Sequence, residues 1–77
     1  MPNIFSTSDF GLATTLKSLQ FNLLDLEKTN PKKIRFIFQG NKNIEDAVKR
    51  YRLDQLLVNP RVYYDCQRLL KNMIYSN

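Results

Sequence analysis

The side chains able to do covalent or proton chemistry are few and scattered. The 77 residues include no histidine and one cysteine, Cys66. Without imidazole there is no Ser-His-Asp arrangement and no zinc site that needs histidine. Cys66 falls among apolar residues at helical spacing with no basic neighbour on that face, where a thiol behaves as a small hydrophobe. Asp25 and Glu27, two residues apart, share one side of a strand. Two carboxylates alone hold a cation poorly, and pairing with Lys32, Lys33 or Arg35 across a hairpin is the expected use. Glu45 and Asp46 stand where a helix begins and suit its dipole. Gly11 and Gly40 are the only glycines, so no glycine-rich loop can cradle a phosphate. The expectation is a non-enzymatic chain with no cofactor and no metal.

Cations and tyrosines carry the stronger signal. Arg61, Tyr64, Arg68, Lys71 and Tyr75 fall within about 80° of one another on a helical wheel. Arginine and lysine contact phosphates and tyrosine stacks on bases, so this face suits nucleic acid. The same side chains anchor protein interfaces, which gives a partner protein as the second reading. An ordinary solvated surface, with Tyr64 lying over Arg68 as a cation–π pair, is the third. Lys32 and Lys33 beside the turn, with Arg35 on the outer strand face, form a second basic patch, whose plain use is to keep an edge strand from pairing. The net charge of +5 is uneven: residues 1–31 sum to −1 and residues 32–77 to +6. Such asymmetry suits a polyanion.

These residues need elements to hold them. The chain is short enough for one domain spanning residues 1–77. It is 43% hydrophobic and 25% charged, too apolar for disorder. No apolar run approaches the roughly 20 residues that cross a bilayer, so no membrane association is expected. Asn3–Phe5 reads as extended. Ser6 or Thr7 caps a helix over 9–19 whose apolar face is Leu12, Ala13, Leu16 and Leu19. Phe21–Gln39 reads as a β-hairpin turning at Thr29-Asn30-Pro31-Lys32, with Ile34, Phe36 and Phe38 inward. Asn43 caps a second helix that ends near Arg52, and Leu56–Val58 reads as a short edge strand.

Asn59-Pro60 opens the last helix, which runs to Tyr75. Its apolar arc is Val62, Tyr63, Cys66, Leu69, Leu70, Met73 and Ile74. The fold class is α+β, a small antiparallel sheet with a hairpin and three helices in the order β-α-β-β-α-(β)-α. The first six elements follow the ferredoxin-like order. A helix-hairpin-helix sandwich with the last helix packed across it fits equally well. Gly11, Thr14, Thr15 and Ser18 form the outer face of the first helix, and small side chains there would admit a second copy as a homodimer.

Phe5-Ser6-Thr7-x-Asp9, Leu12-Ala13, Phe36-x-Phe38, Tyr51 and the Pro60-initiated helix with Leu70-Lys71 resemble a short prokaryotic and viral family of unknown function. The resemblance implies a compact α+β domain in a prokaryotic or phage cytoplasm and brings no catalytic residue. The reading is thus a binding module for nucleic acid. The alternative is a protein-interaction module, a phage or mobile-element factor docking on a host protein.

Overall fold

A computed structural model describes residues 3–30 and 32–76. The elements are β1 (Ile4–Thr7), α1 (Phe10–Ser18), β2 (Leu23–Asn30), β3 (Lys33–Gln39), α2 (Lys42–Arg52) and α3 (Pro60–Tyr75). The fold is therefore α+β. The sheet order is β1-β3-β2, with β3 antiparallel to both neighbours. β1 and β2 are thus parallel and are joined through α1 as one split β-α-β unit, and among the described residues no fourth strand completes the ferredoxin-like order.

One face of the sheet makes the core. Phe36 and Phe38 are fully buried beneath Leu12, Ala13 and Leu16 of α1, Ile44, Ala47 and Val48 of α2, and Leu70 of α3. Ile34 is half-buried against this cluster. The alternation over β3 follows from its 2-residue period.

The expected edge strand does not form. Leu56 and Val58 instead run over the helices, lining hollows with Thr15, Ala47 and Tyr51. The cause lies at the end of α2. Asp54 takes a left-handed φ of 57°, and Gln55 N–H donates to Arg50 C=O while Asp54 N–H donates to Tyr51 C=O. This Schellman closure turns the chain back onto the helical layer. α1 ends the same way, with Gln20 at φ 70° and Phe21 N–H donating to Leu16 C=O. That bond takes the Phe21 amide for the cap, so β2 starts at Leu23 and not at Phe21.

Two caps also differ from expectation. Ser6 and Thr7 lie in β1, and Asp9 caps α1 by accepting from Leu12 N–H at 3.1 Å, while Thr7 Oγ1 accepts from Asp9 N–H. Asn41, two residues before the expected Asn43, caps α2 by accepting from Ile44 N–H at 2.9 Å. Asn59 caps α3 as expected, with Pro60 at the first helical position. Asn30 pairs with Lys33 at the hairpin end. Pro31 of the expected turn lies outside the described residues.

The proposed homodimer face of α1 is corrected. Thr14 is fully buried and Thr15 nearly so, in a run of five buried residues from Leu12 to Leu16 that covers the whole circumference of the helix. α1 is the inner helix, packed on α2 and most extensively on α3. Small residues do permit close approach there, and helices of the same chain have taken the space. Burying the hydroxyls costs little because Thr14 Oγ1 donates to Phe10 C=O and Thr15 Oγ1 to Gly11 C=O, each at 2.8 Å.

Two substitutions test this account by urea denaturation. A Cβ on Gly40 would sit 3.0–3.1 Å from backbone atoms of Asn3 and Ile4, so Gly40→Ala should lower stability by about 1–3 kcal/mol. Gln20→Gly should raise it by about 0.5–1 kcal/mol, because glycine adopts the left-handed conformation without a Cβ penalty.

Candidate functional site

α3 positions the candidate surface. Its buried flank fixes its rotation: Leu70 is fully buried, and Tyr63, Cys66, Met73 and Ile74 are half-buried. Val62 and Leu69, placed in the apolar arc by the sequence, are 41% and 45% exposed. They stand at the rim of that arc, where the covering elements no longer reach, while Gln67 at the opposite rim is half-buried.

The opposite flank is open. Tyr64 and Tyr75 are 55% and 83% exposed, and Arg61, Arg68 and Lys71 are exposed between and beside them. The Arg68 guanidinium lies 5.9 Å from the Tyr64 ring centre, a cation–π contact that orients both groups. Arg61 approaches Asp65 one turn later at only 4.0 Å with both side chains largely in solvent, so the pair leaves Arg61 able to bind an anion.

In the second patch Lys33 and Arg35 lie in phase on one face of β3. Lys32 and Lys33 are exposed at the hairpin end. Arg35 alternates out of phase with buried Phe36 and so lies on the sheet face turned away from the helices, opposite Glu27, where it donates to Ser6 Oγ at 2.6 Å. It does not belong to the α3 surface. A residue that the sequence reading passed over makes the junction: Lys28 Nζ donates to the carbonyls of Met73 at 2.7 Å and Ser76 at 2.6 Å. A cation at the negative end of the helix dipole is favourable. This bond ties the end of α3 that carries Lys71 and Tyr75 to the hairpin.

A polar cluster also went unforeseen. A Cβ on Gly11 would lie 2.9 Å from the Tyr51 hydroxyl, 3.4 Å from Asp9 Oδ1 and 4.0 Å from the Tyr63 hydroxyl. The three side chains, from the start of α1, the end of α2 and the start of α3, thus converge where glycine leaves room. Beside them is a shallow hollow of about 480 Å³ lined by Thr15, Tyr51, Arg52, Asp54, Leu56 and Val58. Burial, then the negative charge of Asp9, with Tyr63 and Asp54 adding less, pushes the Tyr51 hydroxyl above the ordinary tyrosine value. A phenol held protonated donates hydrogen bonds, and the cluster brings together side chains from the N-terminal cap of α1, from α2 and from α3. Among the described residues, no three carboxylates or thiols gather closely enough to hold a metal ion.

The sign of the Tyr51 shift sets a test. The raised folded value favours the neutral form, so its contribution to stability is complete below about pH 10, the unfolded value, and is lost as pH rises through the folded one. In an alkaline titration followed by tyrosinate absorbance, Tyr51 should ionise above the ordinary tyrosine range. Tyr51→Phe should delete that late step.

A family model described as a domain of unknown function, DUF5659, matches residues 2–76. No curated protein and no solved structure matches the chain. No helix among the described residues is long and apolar enough to cross a membrane.

Proposed function

The chain belongs to the DUF5659 family, whose description names no activity, and from the surface of α3 we propose that it is a non-enzymatic binding module for nucleic acid. The observation that carries this is the division of α3 into two flanks. Leu70 is sealed in the core, while Arg68, Lys71, Tyr64 and Tyr75 stand open on the other side. The cations supply phosphate contacts and the tyrosine rings supply stacking surface. Lys32 at the hairpin end adds to the positive region, while Lys33 and Arg35, in phase on the far face of the sheet, are left out. The chain works in the cytoplasm of a prokaryote or a phage-infected cell, where nucleic acid is accessible.

A partner protein is the second reading, favoured by one observation. Val62 and Leu69 lie part-exposed on α3, and Leu57 just before it is 92% exposed. Part-exposed apolar side chains on the flank away from the tyrosines suit the core of an interface. In that reading the module is a phage or mobile-element factor that docks on a host protein.

Salt separates the two. Release of counterions by about four cations on duplex DNA gives a slope of log K against log salt of about −3.6. A protein interface centred on Val62 and Leu69 would show a far shallower dependence. Arg68→Glu combined with Lys71→Glu should abolish the shift of labelled nucleic acid on a gel while leaving the thermal unfolding curve in place, since both side chains are outside the core. Unchanged binding by this double variant would end the assignment to α3.

A further inference from the structure

We infer that β1 is a pairing edge through which two copies of the chain join into one six-stranded sheet. β1 lies at the margin of the sheet, hydrogen-bonded to β3 on one side only. Gly40 N–H donates to Asn3 C=O. With the register Ile4 to Gln39, Phe5 to Phe38 and Ser6 to Ile37, Asn3, Phe5 and Thr7 turn their backbone groups toward β3. Ile4 and Ser6 therefore turn their N–H and C=O groups outward, along the free edge.

The two margins of the sheet are built differently. β2 carries Asp25, Glu27 and Lys28 and two register irregularities. Charges and bulges are the usual means by which an edge resists pairing. β1 has neither: Ile4-Phe5-Ser6-Thr7 is uncharged and regular in register. Beside it runs a groove of about 490 Å³ lined by Ile4, Phe5 and Ile44, with Lys42 and Glu45 on its rim. Ile4 is 57% exposed and Phe5 is only half-buried, although it pairs with fully buried Phe38.

A second copy fits this edge by symmetry. Antiparallel pairing about a two-fold axis at Phe5 sets Ile4 of each copy opposite Ser6 of the other, so every outward donor meets an outward acceptor in four hydrogen bonds. Phe5 then faces Phe5 of the second copy in a non-hydrogen-bonded pair, with Cα atoms about 4.5 Å apart. Its uncovered surface is buried, and the two cores become continuous. The groove rim holds one cation and one anion, and a two-fold contact can set Lys42 of one copy toward Glu45 of the other. The interface is small, so the dissociation constant should be on the order of 10–100 µM, typical of contacts below about 1,200 Å².

Sedimentation of the full chain from about 5 to about 500 µM, a range that brackets such an affinity, tests the proposal. Wild type should pass from monomer to dimer. Ser6→Pro removes an outward N–H without touching the ladder to β3, and it should hold the chain monomeric throughout while leaving the circular dichroism spectrum unchanged. Ile4→Lys, which adds a charge to the edge, should do the same and keeps the test decisive where proline lowers stability. A wild type that is monomeric at all concentrations overturns the proposal and leaves the edge to an extended segment of another protein. A dimer that persists in Ile4→Lys with unchanged affinity also overturns it, since the contact then lies elsewhere.

Discussion

The structure depends on enclosing α1. Nine residues make a helix too short to persist alone in water. It is held because five successive side chains are buried, which requires neighbours on every side. The sheet supplies one wall through Phe36 and Phe38, α2 supplies Ile44 and Val48, and α3 supplies Leu70. Phe10–Ser18 carries one charge, Lys17 in its last turn, because a helix without a solvent face has no place for more. The charge of the molecule is consequently displaced onto the outer helices and the hairpin. The cationic flank of α3 is open because its other flank is needed to close over α1.

That arrangement explains which parts of the fold were legible from the residues. α3 and the inward set of β3 were readable because each has one wet and one dry face, and periodicity reports such a division. α1 misled for the opposite reason. Gly11, Thr14, Thr15 and Ser18 look like an outer face on a helical wheel, yet an enclosed helix has none. Threonine at a buried position leaves no mark in the sequence when its hydroxyl returns to a carbonyl of the preceding turn. The end of α2 at Arg52 was legible and that of α1 fell within one residue, but the reversals beyond them were not, because Gln20 and Asp54 occupy left-handed positions where glycine would have marked the turn. With that signal absent, Leu56–Val58 was read as a strand, although the reversal at Asp54 directs it over the helices.

The candidate surface divides in the same way. Tyr64, Arg68, Lys71 and Tyr75 share a face by spacing alone, and the contact of Arg68 with Tyr64 follows from four residues of separation. Arg35 was read on the outer face of its strand, in one patch with Lys32 and Lys33. Alternation along β3 places it there, across from Glu27 and in phase with Lys33. Lys28 was unremarkable in the sequence, because its bonds to Met73 and Ser76 span more than forty residues. The meeting of Asp9, Tyr51 and Tyr63 over Gly11 is likewise a product of three elements converging, which no local pattern encodes.

Leu70 is the last of the core residues in chain order. A ribosome delivers the polypeptide from its N-terminal end, so the strands and the first two helices emerge before the residue that completes their interior. During that interval Phe36, Phe38 and Leu16 have one wall missing and are open to unwanted association. Sealing is a single late event, and the nascent domain acquires its native cohesion only when α3 has cleared the exit tunnel.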